Sequence, residues 1–196
     1  AMPQAHLSFG YNPLAVDPAR RAADLDSLKR EIELYIGLGV KAAVLHVGGP
    51  LAAKEGWSAA QVDDVRTASL QTLCDATAGS DMRLALENLR TDLKDASELL
   101  RVIGLAGRRE RIGICLDTGH LNLTGGDPAE FVRTAGDSLI ALHIVDNLGT
   151  NDDHLFPFAG RITWAPFLET LRASAYTGLF NFEVPGERIL EKPFPA

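Results

Sequence analysis

A short apolar run that stops at a metal-competent side chain recurs along this chain, and no other feature constrains its fold as tightly. The central instance is Ile112-Gly113-Ile114-Cys115-Leu116-Asp117-Thr118-Gly119-His120. Four stretches are built alike: Ala42-Ala43-Val44-Leu45-His46, Leu84-Ala85-Leu86-Glu87-Asn88, Ile140-Ala141-Leu142-His143-Ile144-Val145-Asp146 and Leu179-Phe180-Asn181-Phe182-Glu183. Continuous apolar runs of this length read as strands buried on both faces. Parallel strands deliver their C-terminal residues to one end of a barrel or sheet. The repeat therefore predicts His, Asp and Glu gathered at one end of a parallel sheet.

Helix signals separate these runs. Asp17-Pro18 caps and starts a helix carrying Leu25, Leu28, Ile32 and Ile36 at helical spacing, ended by Gly37 and Gly39. Ser58-Ala59-Ala60-Gln61 is a capping box opening a helix to about Thr77. Asp95, with Glu98 three residues on, caps a helix to about Ile103; Asp127-Pro128 repeats the Asp17-Pro18 device. Thr163 caps a helix expected to bury Trp164, Phe167, Leu168 and Leu171. With Gln4 to Phe9 as a first strand and 179–184 as a last, the reading gives six strands with five helices between them. That alternation implies an α/β protein with a parallel sheet. The spacing of His6, His46, Glu87, Asp117, His143 and Glu183 is roughly one β/α unit of a TIM-type barrel, but 196 residues fall about two units short of eight.

The rest of the composition narrows the class. One domain is the natural reading of 196 residues. No apolar stretch is long enough to span a membrane and no secretory leader is visible, so cytoplasm is the expected location. Ala1-Met2 reads as a cloning remnant joined to a start codon. Cys74 and Cys115 form no CxxC pair and read as buried, reduced thiols. A net charge of −7 argues against a general phosphate-backbone binder.

All five histidines fall at strand ends or in adjacent loops: His6, His46 and His143 on strands, His120 after the Asp117 strand, and His154 in Asp152-Asp153-His154. Glu87, Asp117 and Glu183 lie alongside. Burying several carboxylates together is costly unless they are paired or bound to a cation. A divalent ion removes that cost, and the mixed N/O set suits zinc, manganese, iron or cobalt better than calcium. Asp146 and Asn147 either orient His143, touch substrate or cap a loop. Trp57 and Trp164 read as packing, Gly48-Gly49 and Gly125-Gly126 as plain loops, and Arg90 as a weak anion contact.

The segments LENL, ICLDTGHLNLTGGDPAEF, LHIVDN, DDHLFPFAG and FEVPGE resemble the xylose-isomerase-like TIM-barrel superfamily over about His6 to Glu187. That superfamily holds sugar isomerases and epimerases and the endonuclease IV type of abasic-site nuclease (AP endonuclease family 2). The resemblance to the epimerase branch implies one divalent ion (Mn, Zn, Co or Mg) on Glu87, Asp117, His143 and Glu183. Glu87 and Glu183 would double as acid and base, acting on a sugar or sugar phosphate. The nuclease branch implies up to three zinc ions on His6, His46, Glu87, Asp117, His120, His143, Asp152, His154 and Glu183. The acidic balance favours the sugar over nucleic acid. A non-catalytic metal-binding remnant is the third reading.

Family barrels have eight strands, and this chain starts at what resembles the third. The expectation is one domain over 1–196, N-terminally truncated relative to the family, with about six of eight units. A sheet left open in this way presents unpaired edges and apolar faces. The tail from Glu187 to Ala196 is short, so a homodimer through the open side is expected, with Leu7, Phe9, Phe180 or Phe182 near it.

Overall fold

A computed structural model of the protein describes residues 2–48 and 56–184. Ala1, Gly49 and the tail from Pro185 onward, on which some of the expectations above fall, lie outside the described residues.

Five parallel strands form one sheet in sequence order: β1 (Gln4–His6), β2 (Ala42–Leu45), β3 (Arg83–Glu87), β4 (Ile112–Asp117) and β5 (Leu139–His143). Helices α1 (Pro18–Gly37), α2 (Ala59–Ala76), α3 (Ala96–Ala106), α4 (Thr118–Leu123), α5 (Pro128–Ala135) and α6 (Trp164–Ala173) alternate with them. The sheet is curled into part of a barrel. Gln4 Nε2 of β1 donates to the Leu142 carbonyl of β5 at 3.2 Å, joining the two outermost strands across the interior.

The helices start where local chemistry dictates. Asp17 accepts from Ala19 N and Arg20 N with Pro18 in the first turn, Ser58 and Gln61 exchange both capping-box bonds, and Asp95 accepts from Glu98 N. Thr163 occupies the N-cap of α6 but its side chain makes no cap bond. Along the strands the two faces differ in size. Ala43, Leu45, Leu84, Leu86, Ile114, Leu116 and Leu142 face the helices and pack with Leu28, Ile32, Leu70, Leu99, Ile103 and Phe167. Ala42, Val44, Ala85, Cys115 and Ala141 face the interior of the curl. A narrow curl has room only for small side chains, whereas the outer layer is where each buried Leu or Ile contributes about 1.5–3 kcal/mol.

Three expectations are corrected. The run Leu179–Glu183 makes no regular strand: it meets the sheet at a single parallel bridge, Ile144 to Phe182, with bonds from Ile144 N to Asn181 O (2.8 Å) and Glu183 N to Ile144 O (3.3 Å). Five strands and a bridge thus replace six strands among the described residues. β1 is shorter than Gln4–Phe9, because the chain leaves β2 after Leu7 N bonds to Val44 O. Leu7 directly follows the edge strand β1, but its side chain turns away from the edge. It is 1% exposed and packs in the helix-side core. Trp164 and Phe167 are buried as expected, while Leu168 and Leu171 are only partly so. Both cysteines are free and buried. Among the described residues no helix is long and apolar enough to cross a membrane.

Candidate metal centre

The C-terminal ends of the strands put the carboxylates side by side. Glu87 ends β3 and Asp117 ends β4. In the β4–β5 register Asp117 is the partner of His143. Asn88, the residue after Glu87, locks two strand ends together: its Oδ1 accepts from Asp117 N (2.7 Å) and its Nδ2 donates to Asp117 O (3.0 Å). Asp117 then turns the chain directly into α4, its Oδ1 accepting from His120 N at 2.6 Å as the helix cap. That cap brings His120 back over the site. Gly119 permits it, since a Cβ there would lie 2.5 Å from Val145 Cγ2.

Glu87 is the hub. It is 1% exposed, and four imidazoles surround its carboxylate. His6 Nε2 and His46 Nε2 approach Oε2 at 3.3 and 2.9 Å; His120 Nδ1 and His143 Nδ1 approach Oε1 at 3.4 Å each. His143 Nδ1 is also 3.2 Å from Glu183 Oε2. On the other side of His120, Nε2 lies 3.2 Å from Asp152 Oδ2, and Asp152 Oδ1 lies 3.6 Å from His154 Nε2. All nine residues named from the sequence therefore stand in one continuous network.

Two subsets bring one donor atom each to within 4.8 Å of one another: His6 with His46 and Glu87, and Glu87 with Asp117, His143 and Glu183. Cys115, paired with Glu87 in the sheet, joins Glu87 and His143 in a third such set. The sequence reading treated Cys115 only as a buried thiol, and nothing in its neighbours along the chain shows that proximity.

Three histidines are oriented by one device. Nδ1 of His6 lies 2.7 Å from Leu7 O, Nδ1 of His120 is 3.0 Å from Asn88 O, and Nδ1 of His154 is 2.8 Å from Glu183 O. A carbonyl can only accept, so Nδ1 carries the proton and Nε2 is presented to the carboxylates. Metal-binding imidazoles are characteristically held this way. The donors fit a divalent cation on a second count. Asp117 Oδ2 and His143 Nδ1 are buried and have no hydrogen-bond partner, although carboxylates crowd His143.

The charges are strongly coupled. Burial pushes Glu87 up, but His120, His143, His46 and His6 outweigh it and hold the carboxyl well below the usual range. Asp117 is pushed up to about 7 by burial, with His120 opposing and Glu87 adding to the rise. Burial pulls His120 down, but Asp152 and Glu87 raise it to about 11. His143 is likewise pulled down by burial and raised to about 10 by Glu183 and Glu87. Without a cation, protons on these imidazoles balance the carboxylates.

The side chains of Asp146 and Asn147 make no hydrogen bond to His143. Their side chains hold the loop after β5. Trp164 is buried, Trp57 half-buried and Arg90 exposed. Asn88 and Thr118 are the positioning residues the sequence reading missed. Thr118 Oγ1 donates to Val145 O (2.6 Å) and accepts from Val145 N (3.0 Å), tying α4 to the segment just after β5.

Comparison with known proteins places this geometry in context. The family described as xylose isomerase-like TIM barrel matches residues 2–196. The uncharacterized protein y4fM of Sinorhizobium fredii is 29% identical over 174 residues, covering 86% of this chain and 55% of the relative. The probable endonuclease 4 of Nitratidesulfovibrio vulgaris is 33% identical over 127 residues, covering 59% of this chain and 41% of the relative. The chain thus spans about half the length of these curated relatives. Among solved structures, a D-tagatose 3-epimerase-like protein superposes with a TM-score of 0.82 at 24% identity, over 97% of this chain and 76% of that one, a likeness of fold.

Proposed function

The chain belongs to the xylose isomerase-like TIM-barrel family, and from that membership we propose that it is a divalent-metal-dependent sugar or sugar-phosphate isomerase/epimerase. The observation that carries the reading is the convergence of Glu87, Asp117, His143 and Glu183, whose donor atoms lie within 4.8 Å of one another. A divalent cation held there supplies Lewis-acid polarisation of a carbonyl and its neighbouring hydroxyl, acidifying the adjacent C–H. Asp117 and His143 hold; the two glutamates also transfer protons. Glu183 is the carboxylate a substrate reaches, with about a third of its side chain exposed at 34% against 2% for Glu87. It lines a cavity of about 180 Å³ with Gln4, His6, Phe9, His143 and Asn181. Glu87, ringed by imidazoles, is the partner that exchanges a proton from the buried side.

A second reading is favoured by one observation. Beside the two groups that share Glu87, His6–His46–Glu87 and the tetrad, a third run of ligand-type side chains adjoins them, with Asp152 lying 3.2 Å from His120 and 3.6 Å from His154. Clusters of metal ions suit phosphodiester cleavage, and the endonuclease 4 relative agrees with that chemistry. The test is one preparation assayed two ways: a ketose panel with Mn²⁺ or Co²⁺, and abasic-site DNA with Zn²⁺, alongside elemental analysis. Ketose turnover is the expected result. DNA nicking with no sugar turnover would replace it with the nuclease, and inactivity in both assays would leave a metal-binding remnant.

A further inference from the structure

We propose that Asp146 is a positioning residue for the outer ligand group, His120–Asp152–His154; this rests on the reading that the outer group binds a metal ion. Asp152 and His154 lie on the long loop between β5 and α6, where no regular element fixes them. Asp146, at the base of that loop and 0% exposed, draws it in. Its Oδ1 accepts from Asn147 N (2.9 Å) and Ile162 N (3.2 Å), and its Oδ2 from Phe158 N (3.1 Å) and the Trp164 indole Nε1 (2.9 Å). One carboxylate thus holds the start of the loop, its far limb and the first turn of α6. Its backbone adds a two-way bridge to Leu155, the residue after His154, at 2.8 Å in each direction.

The strain in the loop is arranged around these bonds. His154 and Phe158 have φ of 46° and 72°, left-handed conformations that side chains with a Cβ seldom adopt. His154 is secured by the Leu155 bridge and by its own Nδ1 bond to Glu183 O; Phe158 is secured by its N–H on Asp146. Gly160 is required for the approach, since a Cβ there would collide with Asp146 Oδ1 and the Asn147 carbonyl. The outcome is that Asp152 reaches back to His120 on α4, across the loop's open span. The Asp146 carboxylate hydrogen-bonds to none of the nine ligand-type side chains, so its effect is through the loop.

The experiment compares zinc bound per chain, by elemental analysis after equilibration at fixed free zinc, with thermal unfolding in chelator. Asp146→Asn keeps the shape but cannot accept four donors; Gly160→Ala drives a methyl into the same carboxylate from the other side. Both are expected to weaken binding of one ion by about 10–100-fold, the usual effect of removing support for a ligand. Asp152→Ala should lose the same ion. The ion lost in Asp117→Asn should be retained by all three. Lower stability in chelator with full zinc content in both loop variants would make Asp146 a purely structural residue and overturn the proposal. Full content in Asp152→Ala as well would show that the outer-group reading is what failed, and the proposal with it. If Asp146→Asn does not fold, Gly160→Ala decides alone.

Discussion

Glu87 and His143 face each other across 3.4 Å, Oε1 to Nδ1, with no hydrogen bond between them. His143 Nδ1 is also within 3.2 Å of Glu183, again without a bond, and Asp117 Oδ2 beside them is unpartnered. A buried polar atom left without a partner, as Asp117 Oδ2 is, costs about 1–3 kcal/mol. A cation at the centre of the tetrad satisfies these groups together, which is the physical basis of the first prediction.

Metal removal should destabilise the fold. A ligand that binds only the folded state at 100 times its Kd adds about 2.7 kcal/mol. Melting of loaded protein with and without chelator should show a clear drop in Tm. Asp117→Asn keeps an acceptor for the α4 cap but loses the charge, so its Tm should fall less in chelator than that of the wild-type protein. Identical melting curves for the wild-type protein in both conditions, after loading has been verified, would remove the case for a well-populated site.

The pH dependence of that drop follows from the histidines. His143 at about 10 and His120 at about 11 lie above the ordinary imidazole value of 6.5. In the metal-free protein their contribution to stability is fully present below 6.5 and is lost as pH rises through about 10 to 11. Asp117, raised to about 7, acts in the same direction, since the folded state holds its proton more tightly than the unfolded chain. A bound cation takes the place of these protons, so its binding releases protons and tightens with pH. The chelator-induced fall in Tm should be larger near pH 8.5 than near pH 6. Calorimetry in buffers of different ionisation enthalpy should show proton release at neutral pH. A fall in Tm that shrinks with rising pH would mean that the histidines are not displaced by metal.

The carboxylates should separate in their kinetics. Glu183→Gln and Glu87→Gln are each expected to cost on the order of 100-fold or more in kcat, as loss of a positioned acid or base does. Glu87→Gln should disturb metal content more than Glu183→Gln does, because Glu87 belongs to all three ligand groups while Glu183 belongs to one. Deuterium from solvent should appear at the carbon next to the carbonyl. Full activity in both variants would rule out the two-carboxylate mechanism.

The strand ends were legible in the sequence because chemistry changes abruptly there. Leu86 to Glu87 and Leu116 to Asp117 are steps from apolar to ionisable, and the structure ends β3 and β4 at those residues. Helix starts were equally plain where a side chain caps, as at Asp17, Ser58, Asp95 and Asp127. The short helix α4 was not, because Thr118-Gly119-His120 has low helix propensity and is held by the Asp117 cap and by Thr118 on Val145. Leu179–Glu183 has strand composition but, among the described residues, bridges Ile144 alone, and pairing depends on a neighbour that composition does not reveal. The role of Asp146 was undecidable from sequence for the same reason: three of its four donors come from residues 158, 162 and 164, well along the chain.

The last prediction concerns assembly. Among the described residues β1 pairs with β2 alone, and across from it the Phe182 segment pairs with Ile144 alone, so within this part of the chain two backbone edges flank the cavity beside His6 and Glu183. Large apolar side chains collect at these edges. Phe9 is 62% exposed, Phe180 40% and Phe182 52%, the last two with ring centroids 5.5 Å apart. Leu7 does not contribute, being in the core. Unpaired edges template pairing with another chain, and aromatic clusters on a surface mark contacts. A second copy of this chain is the occupant proposed here, most simply by a two-fold axis. Light scattering over a dilution series should give a dimer, and Phe180→Ser combined with Phe182→Ser should shift it to monomer without lowering the chelator-insensitive part of its stability. Because the Phe9 ring also lies against His6, tilted by 36° with centroids 4.2 Å apart, a dimer that buries Phe9 would close one wall of the metal centre. Dissociation should then weaken metal retention, so zinc content should fall on dilution in step with the loss of dimer. A wild-type protein that stays monomeric at all concentrations with its metal retained would sink the proposal.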